Sequence, residues 1–106
     1  MTKTEQQVLT NFKQSVRKRY PGANLTVFGS RARGDADPES DLDILVVLDT
    51  QPNKQTEEYI SQCAWDAGFE PGIVLVPVIY SKTEWENGPE RYSLLAEAVK
   101  AEGIPV

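Results

Sequence analysis

The chain has 106 residues, 40% of them hydrophobic and 25% charged, with a net charge of −5. That length fits one compact domain over residues 1–106, which buries roughly two-thirds of its unfolded surface and leaves no room for a deep private substrate cavity. Net acidity argues against broad nucleic-acid binding, which needs a basic face to neutralise phosphates. The longest apolar run, Ile44 to Leu48, is far too short to cross a bilayer, and the polar N-terminus shows no signal peptide. The single cysteine, Cys63, can form no internal disulfide, so a cytoplasmic location is expected. Histidine is absent, and any acid–base or metal chemistry therefore falls to carboxylates.

The first helix is expected from Glu5 to about Tyr20. Thr4 and Gln7 are spaced as a capping box, Val8, Leu9, Phe12 and Val16 share one helical face, and Pro21-Gly22 ends it. Lys13, Arg17, Lys18 and Arg19 cluster near its end, as a solvated face complementing the helix dipole or as a docking surface for an acidic partner. Leu25 to Phe28 reads as a short strand running into Gly29, and residues 30–40 as a turn. Asp41 to Leu48 reads as a second, largely buried strand, because Ile44 to Leu48 shows no polar alternation.

Gln51-Pro52-Asn53 precedes a second helix from about Lys54 to Ala67, with Ile60, Cys63, Ala64 and Ala67 inward and Gly68 as its C′ residue. Ile73 to Tyr80 is a third strand, placed at a sheet edge by Pro77. Ser81 and Glu84 have capping-box spacing and open a short helix. After Gly88-Pro89 a last helix is expected to carry Leu94, Leu95, Ala98 and Val99 inward and to stop at Gly103. Trp65 and Trp85 are expected in core or half-buried packing, with a partner surface or adenine stacking as the alternative, and Cys63 as a small core residue. The order of elements gives an α/β or α+β domain.

The chemistry concentrates between Gly29 and Asp43. A strand that ends in Gly29 and enters a turn at Ser30 lets the backbone approach a phosphate closely, although a plain capped turn has the same residues. Asp41 and Asp43, at i and i+2 of a strand, face the same way about 7 Å apart and can converge on one or two hard cations. In two-metal phosphoryl chemistry such ions lie about 4 Å apart. Solvated aspartates at a strand start are the alternative, set against the repulsion of like charges beside an apolar strand. Arg31 and Arg33 flank the presumed phosphate site, with Arg33 the better candidate to contact a phosphate; pairing with Asp35, Asp37 and Glu39 is the competing role.

Phe28-Gly29-Ser30-Arg31-Ala32-Arg33-Gly34, followed by Ser40-Asp41-Leu42-Asp43-Ile44, resembles the minimal nucleotidyltransferase family of the DNA polymerase β superfamily. The resemblance implies a polymerase β-like α+β fold, a small mixed β-sheet flanked by helices. It implies Mg²⁺-dependent transfer of AMP from ATP to a hydroxyl. It also implies an antitoxin that modifies a tyrosine of a small helical HEPN-type ribonuclease toxin. The small size of the chain implies that the acceptor, or a homo- or hetero-oligomer, completes the site. By position, Gly29 and Ser30 would hold the triphosphate, and Asp41 and Asp43 would be the catalytic metal ligands.

The family's third acid is the departure. The third strand, Gly72 to Tyr80, carries no carboxylate, so Glu70 just before it is the positional candidate, with Glu84 just after it. Two further readings follow. One is a weak or inactive nucleotidyltransferase-fold subunit that neutralises a helical partner by contact. The other is transfer to a small molecule such as an aminoglycoside, which normally requires an additional domain.

Overall fold

The computed structural model describes residues 1–29, 41–88 and 93–106. Helix α1 spans Lys3–Arg19 and buries Val8, Leu9, Phe12 and Val16, the stripe expected from helical spacing. Its capping box lies two residues earlier than expected. The Thr2 hydroxyl accepts the Glu5 N–H at 3.1 Å, and the Glu5 carboxylate accepts the Thr2 N–H at 2.9 Å. Glu5 outcompetes Gln7 for this role because a carboxylate is the stronger acceptor and its charge suits the helix N-terminus. Gln7 instead donates to the Asn11 side chain.

The basic cluster at the end of α1 is largely spent on the chain itself. Arg17 Nε donates to the Ala23 carbonyl at 2.9 Å, Lys13 Nζ donates to the Val106 carbonyl, and the Arg19 guanidinium lies 4.6 Å from the Tyr59 ring centroid. These contacts tie the helix to the turn after it, to the far end of the described chain and to the second helix.

Four strands form one mixed sheet in the order β3-β2-β1-β4: β1 at Asn24–Phe28, β2 at Leu42–Leu48, β3 at Leu75–Ser81 and β4 at Ile104–Pro105. β1 runs antiparallel to β2 and β4, and β2 runs parallel to β3. Helix α2, Lys54–Gly68, makes the crossover between the two parallel strands. Leu42, Ile44, Val46 and Leu48 alternate along one face of β2 and are almost fully buried in the cluster they form with Phe12 and Val16 of α1 and Ile60 and Cys63 of α2. Helix α3, Lys82–Asn87, opens on a Ser81–Glu84 capping box as expected, and helix α4, Leu94–Glu102, follows. Among the described residues no helix is long and apolar enough to cross a membrane.

Pro77 sits on the edge strand where the sequence places it. The Leu42 N–H donates to the Val74 carbonyl, and this phase of the parallel ladder turns the backbone of Val76, Val78 and Tyr80 toward β2. Pro77 therefore faces outward, where its missing N–H breaks no ladder bond. The helix before it is fastened by its cap: Asn53 Oδ1 accepts both the Thr56 N–H at 2.9 Å and the Thr56 hydroxyl at 3.0 Å. Replacing Asn53 with Ala is expected to cost about 1 kcal/mol, lowering the thermal midpoint by several degrees in a calorimetric scan.

Three further expectations are corrected. Gly68 closes α2 as its last helical residue, with Phe69 as the cap; the positive φ of +74° belongs to Gly72. Gly68 is needed for space, because a Cβ there would lie 1.9 Å from the Ile73 carbonyl oxygen. Leu94 is 84% exposed, and Ala96 is the buried residue of α4, its small side chain letting the helix sit close to the sheet. Trp65 is 64% exposed, while Cys63 two residues earlier is buried as expected. The two-residue strand β4 has no counterpart among the expected elements. It is too short for any periodicity to signal, and is held by pairing to Thr26 and Val27.

Candidate active site

Strand β2 positions the acidic pair. Its alternation sends Leu42 and Ile44 into the core, each fully buried, and leaves Asp43 half-buried on the opposite face. Asp41 is exposed at the residue before the strand begins. Burial pushes the Asp43 carboxyl up from its ordinary range, and the negative charge of Asp41 pushes it further. Two carboxylates are thus held close enough to repel, one of them partly stripped of water. A hard divalent cation relieves both effects, so the donor set fits such an ion.

Gly29 closes the other side of this site. The antiparallel register pairs Phe28 with Asp43, so Gly29 follows directly where β1 passes the acid. Its φ is +86°, and a Cβ at this position would lie 2.7 Å from Asp43 Oδ2. The glycine therefore does two things: it takes a backbone turn that other residues resist, and it leaves the space in which the Asp43 carboxylate stands. The sequence supplied the first role as an approach to phosphate; the second depends on a cross-strand register that no local motif encodes. Ser30 and Arg33, the other expected phosphate contacts, lie outside the described residues, as does Arg31.

The neighbouring strand completes the surroundings. In the parallel register Asp43 lies beside Val76 and Leu42 beside Leu75, which puts Val74 next to Asp41. Val76 of β3 and Val74, the residue before the strand, thus occupy the positions adjacent to the acids. Glu70 is exposed in the turn after α2. Among the described residues no group of three or more acidic or other metal-ligating side chains comes together, so Glu70 is not brought to the pair. Glu84 is committed to its cap, and the backbone N–H of Ser81, ahead of the Ser81 and Gln51 side chains, holds its carboxyl below the usual range.

The raised proton affinity of Asp43 has a direction in stability. An acid that binds its proton more tightly folded than unfolded favours the fold while protonated and opposes it once ionised. The contribution of Asp43 is therefore lost as pH rises through the ordinary carboxylate range toward its raised value, and it remains unfavourable at neutral pH. The Asp43→Asn protein, freed of divalent cations, is expected to melt at or above the wild-type temperature at neutral pH, with the gap closing in acid. A clear drop in its midpoint at neutral pH would contradict this electrostatic picture.

The chain is 39% identical over 59 residues to MJ0141 of Methanocaldococcus jannaschii, which carries the name of a protein adenylyltransferase; the match covers 56% of this chain and 60% of that protein. It is 39% identical over 57 residues to the protein adenylyltransferase MntA of Thermococcus cleftensis, covering 50% of this chain and 58% of the relative. A bifunctional uridylyltransferase/uridylyl-removing enzyme of Bordetella pertussis is 39% identical over 54 residues, covering 48% of this chain but only 6% of that enzyme. The matched stretch thus spans less than two-thirds of each relative. In three dimensions the fold is similar to that in a crystal structure of a toxin–antitoxin with AMP-PNP, with a TM-score of 0.62 and 17% identity over 91% of this chain and 69% of that one. A nucleotidyltransferase domain matches residues 9–100, which include Gly29, both aspartates and the whole of β2 and β3, and the chain belongs to that family.

Proposed function

We propose that residues 1–106 form one nucleotidyltransferase domain that transfers AMP from ATP, with Mg²⁺, to a hydroxyl of a protein partner, acting as an antitoxin toward a small HEPN-type ribonuclease in the cytoplasm. The observation that carries this reading is the Asp41–Asp43 pair, set against Gly29 at the mouth of a buried strand. Family membership, relatives named protein adenylyltransferase and the fold of a toxin–antitoxin structure support it.

In the reaction the acceptor hydroxyl oxygen forms a bond to the α-phosphorus of ATP, the bond from that phosphorus to the bridging oxygen breaks, and pyrophosphate leaves. Asp41 and Asp43 would hold Mg²⁺, which when bound neutralises charge on the triphosphate. Gly29 brings backbone near the phosphates, and Ser30 and Arg33 are proposed as donors to their oxygens. With no histidine in the chain, a carboxylate oxygen of the pair is the chain's own acceptor for the hydroxyl proton. Glu70 would assist only if the bound partner or a conformational change brought it to the site.

One observation favours a second reading. Val76 of β3 and Val74 just before the strand stand beside the aspartates, and no three-acid group forms among the described residues, as in a subunit that binds a partner and modifies it slowly or not at all. Incubation of the purified chain with α-phosphate-labelled ATP, Mg²⁺ and the protein encoded beside it separates the two. Label on a partner hydroxyl supports the transferase. Neutralisation of the partner with no label transferred replaces it with the binding subunit.

A further inference from the structure

Three large hydrophobic side chains are exposed together at the end of α2 and the start of the edge strand. Trp65 is 64% exposed, Phe69 65% and Val74 60%. The two rings lie one helical turn apart with centroids 5.5 Å from each other. With Ala64, Gly68 and Ile73 they line a groove of about 260 Å³. An exposed Trp–Phe pair is a poor use of surface unless something covers it, since aromatic rings carry the largest apolar area of any side chains.

The groove is built in advance. The Ile73 N–H donates to the Gly68 carbonyl at 2.9 Å, and the Gly72 N–H donates to the Phe69 carbonyl at 3.3 Å. The missing side chain of Gly68 lets the returning backbone pass against the helix, where a Cβ would meet the Ile73 carbonyl oxygen. A hydrogen-bonded turn therefore fixes Phe69 and Val74 relative to Trp65. Preorganisation of this kind lowers the entropic cost of docking.

Charge selects the occupant. Asp66 and Glu70 are exposed beside the rings, and the last turn of α2 has no basic residue to balance them. The helix C-terminus adds its own negative end. An anionic membrane or a nucleotide phosphate would be repelled here. A second copy docked through the same patch would bring its own Asp66 and Glu70 against these, like against like. What fits is an apolar side chain in the groove with lysine or arginine on either side of it.

We infer that the Trp65–Phe69–Val74 groove is a docking surface for a protein partner, taking an apolar anchor from a segment flanked by basic residues. Because Val74 stands beside Asp41 in the sheet register, a segment held there lies next to the acidic pair. The docking surface does not require that transfer occur, and its test reads binding alone.

The probe is a short amphipathic leucine–lysine peptide, with a leucine–glutamate twin as control, titrated into the full chain by heteronuclear NMR. The lysine peptide is expected to shift the Trp65 indole and the Gly68 and Gly72 amides, and the glutamate twin to shift none of them. The exposed double variant Trp65→Ser/Phe69→Ser, checked for native circular dichroism, should lose about tenfold or more in affinity. The Asp66→Lys/Glu70→Lys variant keeps the apolar floor and should reverse the preference toward the glutamate peptide. Equal binding of both peptides, shifts elsewhere on the chain, or undiminished affinity in the Trp65/Phe69 variant would overturn the inference. So would a dimer in sedimentation that this same variant abolishes, since the patch would then belong to a second copy.

Discussion

Replacing Asp41 and Asp43 together with asparagine is expected to reduce AMP transfer by about 10²–10³-fold or more while leaving the fold in place. Asparagine keeps the size of each side chain and removes the charge that a divalent cation needs. Leu42 and Ile44, which anchor this stretch in the core, are untouched. The change also removes the repulsion and desolvation that push the Asp43 carboxyl up, so the cation-free protein should be no less stable. Initial rates of label transfer together with melting curves check both halves. A variant that loses transfer because it no longer folds would contradict the account as surely as one that keeps its rate.

Gly29→Ala is the second large effect, expected to lower transfer by about 10²-fold. The new Cβ would meet Asp43 Oδ2 at 2.7 Å, while the backbone holds a φ of +86°. Either the carboxylate swings away or β1 shifts. Left-handed backbone at a residue with a Cβ costs about 1–2 kcal/mol, so a fall in thermal midpoint of several degrees should accompany the loss. Comparison with Gly22→Ala tests the argument. There the clash is with the Asp49 side chain, whose far end can move, and φ imposes no penalty. Gly22→Ala should leave transfer near the wild-type rate. If Gly29→Ala did so as well, the close approach of Gly29 to Asp43 would have no part in the chemistry.

Much of this arrangement is legible from residue spacing, for physical reasons. Val8, Leu9, Phe12 and Val16 declare the buried face of α1 because one helical stripe meets the sheet. Pro77 declares the edge because only an outward-facing position tolerates its missing N–H. Asp41 and Asp43 stand out because charge at the mouth of so apolar a strand asks for a counter-charge. What spacing leaves hidden depends on contacts far apart in the chain. The match between Gly29 and Asp43 follows from antiparallel register, and β4 from pairing with β1. Trp65 reads as a packed residue until the helix is placed on the sheet, where Cys63 and Ala64 turn inward and the indole turns out. Leu94 misleads in the same way. Its helix faces the sheet through Ala96, where little space is available, and the larger side chain is left in solvent.

The absence of a carboxylate from β3 is the point on which catalysis and binding part company. Val74 and Val76 flank the aspartates, and Glu70 stands in the turn beside the exposed aromatic groove. A partner seated on that groove would change the surroundings of Glu70 as well as those of Asp66. Transfer by the chain alone is therefore expected to be slower than transfer in the presence of the partner, even to a small hydroxyl acceptor.

The most direct measurement is the intact mass of the partner protein after incubation with the chain, ATP and Mg²⁺. The account predicts that the partner gains the mass of AMP on a hydroxyl side chain with the wild-type chain, and gains nothing with the Asp41→Asn/Asp43→Asn variant. A partner that is neutralised without gaining mass, or that gains it equally from the variant, would contradict the claim that this acidic pair transfers a nucleotide.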